Sequence, residues 1–247
     1  VFDKIYGGLI KPTTVNLGGK DPSIPEDVDA LVFLNPEKKI SKEAIFALDK
    51  FIQRGGSVGW YQSSTGLNRK MMQQMARKMQ GRRPPKIRTP LQTGLKPVFS
   101  AYGVEHGQDI LLDYENGMTA RAFTRSGLQR VTLPTTYQMT DIDRTLPFTQ
   151  HLSSLALPTP SSVEIQPWVE EDENIESFKA VRTFESAMRV TDPPRQFNYK
   201  AFQNPDDFQG KKDKYTVVAA LQGTIPSYYE DNPLPEGKSK EELETKS

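Results

Sequence analysis

The run Ala30-Leu31-Val32-Phe33-Leu34, the helical spacing that follows it and the segment Ser57-Val58-Gly59-Trp60-Tyr61 together decide the fold reading. The first run is continuously apolar, with acidic residues before it and Asn35-Pro36 after it, which is the pattern of a strand buried on both faces. Ser41 is placed to cap a helix, and Glu43 in the first turn favours the positive end of the helix dipole. Ala44, Ile45, Leu48, Phe51 and Ile52 recur at helical spacing until Gly55-Gly56 ends the helix. Residues 57–61 then supply a second strand. Strand, helix and strand in this order form a βαβ unit whose strands run parallel. With a further strand over Thr14-Val15-Asn16-Leu17, residues 1–105 predict an open α/β core.

Downstream the pattern changes. Leu67, Met71, Met75 and Met79 stand four apart and predict a helix closed by Gly81 and Pro84-Pro85; a shorter helix is expected from Gly94 to Tyr102. Strands are expected at Ile110–Leu112, Met118–Phe123, Val163–Ile165, Ala180–Val190 and Tyr215–Leu221. Pro134, Pro147, Pro158, Pro160, Pro167 and Pro193-Pro194 fall in the loops between them. Residues 106–230 are thus a strand-rich continuation packed on the core, and the polar, charged residues 231–247 a tail or stalk.

Composition narrows the chemistry. The 247 residues carry 32 Lys and Arg against 31 Asp and Glu, a net charge of +1 that argues against a uniformly basic nucleic-acid coat. The absence of cysteine removes disulfides, thiolate nucleophiles and Cys-ligated metal, and two histidines, His106 and His151, argue against a histidine-rich metal site. No run approaches the ~18 apolar residues that span a bilayer, and no signal-peptide pattern opens the chain. The charge is nevertheless polarised. From Lys50 to Val104 there are eleven bases and no acid, so with a total of +1 the remainder carries −10. Glu164, Glu170, Glu171, Asp172, Glu173 and Glu176 follow as an acidic cluster.

The strand ending at Tyr61 leads into Gln62-Ser63-Ser64-Thr65-Gly66, and Ser63 or Ser64 stands where an α/β fold places a nucleophile. The Gly-x-Ser-x-Gly frame is missing, and helix capping by these serines is the simpler reading. Gly7-Gly8, Gly18-Gly19 and Gly55-Gly56 fit neither phosphate-cradle spacing. Asp141 with Asp143, and Asp206-Asp207, sit among turn formers as solvated carboxylates do. The basic stretch lacks interleaved aromatics, so no nucleic-acid partner is expected; a membrane-facing or acidic-partner-facing patch needs only positive charge within a Debye length.

The order of several segments carries a resemblance. Pro25–Pro36, Ile40–Ile52 and Arg54–Val58 resemble the opening of the GldG-type auxiliary subunit of ABC transporters, a family linked to gliding motility and to uncharacterised transport. Leu95–Gly103, Asp109–Asp113, Leu146-Pro-Phe-Thr149, Leu155–Pro158, Arg182–Ser186 and Tyr215–Gly223 continue it in order, over roughly residues 10 to 230. The resemblance implies a flavodoxin-like fold, shared with intraflagellar-transport-like domains: a largely parallel sheet with helices on both faces, followed here by the strand-rich C-terminal portion. It also implies an extracytoplasmic (periplasmic) domain beside an ABC permease and its ATPase, membrane-held through anchors absent from this chain.

The expected function is therefore non-catalytic, without cofactor or metal: an auxiliary domain of an ABC-type transport system, of the gliding-motility class, that binds a protein partner, a glycan or a transported substrate. Ligands of open α/β sheets bind beyond the carboxyl ends of the strands, which selects Asn35, Gln62, Ser63 and Ser64. Arg69, Lys70, Arg77, Lys78, Arg82 and Arg83 are the expected partner-binding residues. Two alternatives stand beside this reading: a serine-dependent hydrolase or transferase using the 62–66 turn, and an electrostatic docking module using the basic 50–88 stretch.

Overall fold

The computed structural model describes residues 11–67, 69–78, 88–124, 127–194 and 199–243. Strand β1 (Ala30–Leu34), helix α1 (Lys42–Gln53) and strand β2 (Ser57–Tyr61) form the expected βαβ unit, with β1 and β2 parallel in the register Ala30↔Ser57 to Leu34↔Tyr61. Ser41 caps α1 by accepting a hydrogen bond from the Ala44 amide at 3.1 Å. Gly55, at φ +88°, takes the left-handed turn that ends the helix, and the Gly56 amide returns to the Phe51 carbonyl at 2.9 Å.

Among the described residues the parallel sheet stops at two strands. In order, β3 (Thr65–Leu67), α2 (Arg69–Lys78), β4 (Arg88–Pro90), α3 (Lys96–Ala101), β5 (Val104–His106), β6 (Ile110–Leu112), β7 (Gly117–Thr124), β8 (Gly127–Met139) and β9 (Asp141–Ile142) follow. Then come β10 (Leu155–Pro158), β11 (Val163–Ile165), α4 (Pro167–Glu171), β12 (Ile175–Arg182), β13 (Met188–Val190) and β14 (Thr216–Gly223). Every pairing among β3 to β14 is antiparallel: β3 with β4, β5 with β11, β6 with β13, β10-β8-β7, and β14-β12-β9.

The expected flavodoxin-like sheet, largely parallel with helices on both faces, is therefore wrong. The error lies in the run that suggested it. Along β1 only alternate residues point inward: Leu31 is buried, whereas Val32 is 51% and Leu34 66% exposed, and Tyr61 beside them on β2 is 62% exposed. A continuous apolar run suggests two-sided burial, but here one face packs on α1's core and the other faces solvent. Residues 14–17 join no ladder among the described residues, although Val15 and Leu17 still pack against the first core.

Among the described residues, three apolar clusters organise the fold. The first joins the βαβ unit and α3 through Leu31, Phe46, Leu48, Phe51, Val98 and Phe99. It also takes in Tyr229 and Leu243, so the chain's last described stretch, including Leu234 and Leu243 within residues 231–247, returns to the N-terminal unit. Asp49, fully buried on α1, fixes that return. It accepts hydrogen bonds from Tyr102 Oη (2.7 Å), Ser227 Oγ (2.6 Å) and the Tyr228 amide (2.8 Å). The other two clusters share β6. Ile110 and Leu112 enter one with Met188, Val190 and Phe202, while Leu111 enters the other with Tyr137, Met139 and Val181. The two-sided burial misassigned to β1 belongs here.

Pro134 lies inside β8 rather than in a loop. The β7–β8 register shifts between Gly117↔Tyr137 and Met118↔Leu133, which puts the proline in a bulge where its missing N–H costs no ladder bond.

Candidate functional site

The turns that leave β1 and β2 are bonded to each other. Asn35 adopts φ +46°, a left-handed conformation that asparagine tolerates, and its amide reaches the Tyr61 carbonyl at 2.6 Å. Its Oδ1 accepts the Ser63 amide at 3.2 Å. Ser63 Oγ accepts from Arg88 Nη2 at 3.1 Å, and the same guanidinium donates to Thr65 Oγ1 and the Thr65 carbonyl. The four expected ligand residues thus divide. Gln62 and Ser64 line a cavity of about 200 Å³, while Asn35 and Ser63 lie outside its lining.

The cavity lies beyond the end of β2, against the loop after β4 and the turn between β5 and β6. One wall is the Trp60 indole, stacked on Phe99 with ring centroids 4.0 Å apart and tilted toward His106 at 5.5 Å. Trp60 Nε1 donates to Gln62 Oε1 at 2.8 Å, and Thr93 Oγ1 approaches the same oxygen at 3.5 Å. With Oε1 engaged, the Gln62 amide nitrogen is oriented away from Trp60. Leu91, Gln92, Thr93, Gly94, Lys96, Pro97 and Gln108 complete the lining.

Its charges are balanced locally. Lys96 Nζ pairs with Glu105 Oε1 at 3.3 Å, and Gln166 Nε2 donates to Glu105 Oε2 at 3.2 Å. His106 Nε2 lies 3.1 Å from the Gln62 carbonyl; that oxygen only accepts, so the ring proton sits on Nε2. Burial lowers the His106 pKa below the usual histidine value, against the opposing pull of the Gln62 carbonyl, so the ring is neutral at pH 7. Ser64 Oγ donates to the Asp109 carbonyl at 3.0 Å. Among the described residues neither serine is bonded to the histidine: Ser63 Oγ accepts from Arg88, Ser64 Oγ donates to the Asp109 carbonyl and His106 Nε2 donates to the Gln62 carbonyl.

Asp109 anchors the far wall. Its carboxylate accepts from the Ser162 amide (2.8 Å), Ser162 Oγ (2.6 Å) and Arg189 Nε (2.5 Å), and its carbonyl also receives Ser161 Oγ at 2.8 Å. Arg189 extends to Glu164 at 2.6 Å. Among the described residues no cluster of His, Asp or Glu could hold a metal ion, and no helix is long and apolar enough to cross a membrane.

Sequence reasoning missed Trp60, Thr93, Lys96, His106 and Gln108 as lining residues. They come from segments up to 48 residues apart in the chain, and only the polar turn after β2 left a local signal. On α2, Lys70, Arg77 and Lys78 are exposed, with Met72 and Met75 half-buried on the opposite side of the helix. Arg69 opens the helix. Arg82 and Arg83 lie outside the described residues.

A family model described as an ABC-type uncharacterized transport system matches residues 14–247, and the chain belongs to this auxiliary family of ABC-type transport systems. No curated protein and no solved structure matches.

Proposed function

We propose that this chain is the non-catalytic, extracytoplasmic ligand-binding domain of an ABC-type transport system, working beside a permease and its ATPase and belonging to the gliding-motility class. The observation that carries the binding role is the cavity at the end of β2, where an aromatic wall and several side-chain amides converge. The non-catalytic part is supported by the bonding of Ser63, Ser64 and His106 to Arg88, a backbone carbonyl and a second backbone carbonyl. A serine-reactive fluorophosphonate probe is the direct test: the purified chain is expected to stay unlabelled, and covalent labelling at Ser63 or Ser64 would reverse the reading. Co-purification of the full-length protein with permease and ATPase subunits tests the partner assignment.

A second reading, electrostatic docking, is favoured by α2. Lys70 and Arg77 lie a near-whole number of turns apart and share one exposed stripe, with Lys78 beside it, in a region without an acidic residue. It predicts binding to vesicles containing phosphatidylserine that weakens several-fold between low and high salt; binding indifferent to salt counts against it.

A further inference from the structure

We infer that the cavity beyond β2 takes a single neutral glycosyl residue, stacked on Trp60 and held round its rim by side-chain amides. This rests on the ligand-binding reading above and names the class of ligand. Four observations lead to it.

Charge comes first. Lys96 is paired with Glu105 and His106, its Nε2 on the Gln62 carbonyl, is neutral, so among the described residues the lining holds no unpaired cation for a phosphate or carboxylate and no free carboxylate for an amine. Shape is next. A volume of about 200 Å³ is below the ~300–1,000 Å³ usual for whole small-molecule ligands, so it fits one ring of a longer molecule that continues into solvent. The indole wall is the third observation. One of its faces is covered by Phe99, so what it presents to the cavity, together with Leu91 and Pro97, is apolar surface on one side only. Such a surface suits the C–H face of a sugar ring better than a flat base sandwiched on both sides.

The fourth observation is where the polar groups come from. Gln62 follows β2, Gln92 and Thr93 follow β4, and Gln108 precedes β6, so amide and hydroxyl groups reach the cavity from three separate segments. A pyranose carries hydroxyls around its whole perimeter, each both donor and acceptor, and a carboxamide offers both functions to match. A nucleobase, by contrast, presents fixed donors and fixed acceptors in the plane of a flat ring. With Gln62 Oε1 engaged by Trp60, the Gln62 Nε2 hydrogens are left to donate to a ring hydroxyl.

The chain has two tryptophans, so its two indole N–H resonances in a ¹H–¹⁵N spectrum separate the cavity (Trp60) from an internal control outside it (Trp168). Assignment uses Trp60→Phe. The probes are the methyl glycosides of glucose, galactose, mannose and N-acetylglucosamine, with citrate, glycine betaine and uridine as comparison ligands. At least one glycoside is expected to shift the Trp60 resonance saturably, with a Kd on the order of 1 mM for a ligand of that size, while Trp168 stays still. Gln108→Ala, an exposed change that leaves the core intact, is expected to weaken that binding by about threefold or more, and Gln62→Ala by about tenfold. Saturable shifts with citrate, glycine betaine or uridine and with no glycoside would overturn the glycosyl assignment and leave the ligand site standing. Silence of the Trp60 resonance toward every probe up to about 50 mM would overturn both.

Discussion

Asp49→Ala should be among the most damaging substitutions outside the apolar core. The carboxylate is fully buried on α1 and serves three donors, Tyr102 Oη, Ser227 Oγ and the Tyr228 amide. Their fates on truncation differ. Tyr102 is 4% exposed, so its hydroxyl is left without an acceptor or water, at a cost of about 1–3 kcal/mol. Ser227 and Tyr228 are half-buried and can be rehydrated, each losing about 0.5–1 kcal/mol relative to a charge-assisted bond. The sum is about 2–5 kcal/mol, large against the ~5–15 kcal/mol stability of an ordinary domain. Asp49→Asn keeps an acceptor for Tyr102 and should cost roughly half as much. Urea unfolding followed by tryptophan fluorescence measures the loss, and a double-mutant cycle with Tyr102→Phe should give a coupling of about 1 kcal/mol or more. Limited trypsin digestion adds a local readout: cleavage at Lys238 and Lys240 should come earlier in Asp49→Ala than in the parent, because the segment that Asp49 tethers is released. An Asp49→Ala protein within about 0.5 kcal/mol of the parent, with unchanged cleavage there, would refute the clamp.

Arg189→Ala leaves the buried Asp109 carboxylate without its cation and should cost about 2–4 kcal/mol in urea unfolding, whereas Glu164→Ala, at the exposed end of the same triad, should cost under about 1 kcal/mol. Gly103→Ala demands φ +95° of an alanine and drives its Cβ into Val169 Cγ2, so a loss of about 2 kcal/mol or more, or insoluble protein, is expected. His106 contributes a pH dependence whose sign follows from its lowered pKa. As pH falls through 6.5, the unfolded chain takes up the proton before the folded one, so stability is present above that pH and declines below it. His106→Gln should remove this component of the unfolding profile between about pH 7 and 5. Asp141, held below the usual carboxylate range by Lys214 and Arg182, acts at the other end: its contribution is present above about pH 4 and is lost under more acid conditions, a loss that Asp141→Asn should abolish.

Local rules worked where local physics decides. Ser41, Glu43 and Gly55 fixed both ends of α1, and the βαβ order alone gave the parallel β1–β2 pair. They failed where burial depends on what packs from far away. Leu31 to Leu34 and Ile110 to Leu112 look alike as apolar runs, yet only the second has a core on each side. The difference lies in Met188, Phe202, Tyr137 and Val181, all supplied by later chain. Strand β8 escaped because Pro134 breaks the alternation of Val131, Leu133, Tyr137 and Met139, and no single-sequence rule marks a proline as belonging to a bulge. At the site, Gln62 and Ser64 were legible from the position of the turn after β2. Trp60 was hidden as an ordinary strand residue, and nothing local marked His106, which is half-buried with its Nε2 on the Gln62 carbonyl.

The cavity is as much a product of the antiparallel half as of the βαβ unit. Alternation along β2 sends Trp60 toward Phe99 and Tyr61 outward, so the next residue, Gln62, turns back over the indole. That gives one wall only. The β3–β4 pairing, Thr65↔Pro90 to Leu67↔Arg88, returns the chain so that Leu91 to Thr93 face that wall. The opposite side depends on β6, whose burial between two cores fixes the backbone of Asp109 and through its carbonyl holds Ser64. Because Arg189 and Ser162 hold the Asp109 carboxylate, a residue on β13, outside the lining, sets the position of a group within it. Arg189→Ala should therefore weaken glycoside binding, read at the Trp60 resonance, although Arg189 lies outside the lining, whereas Asn35→Ala, linked to the lining only through the Ser63 backbone, should weaken it less.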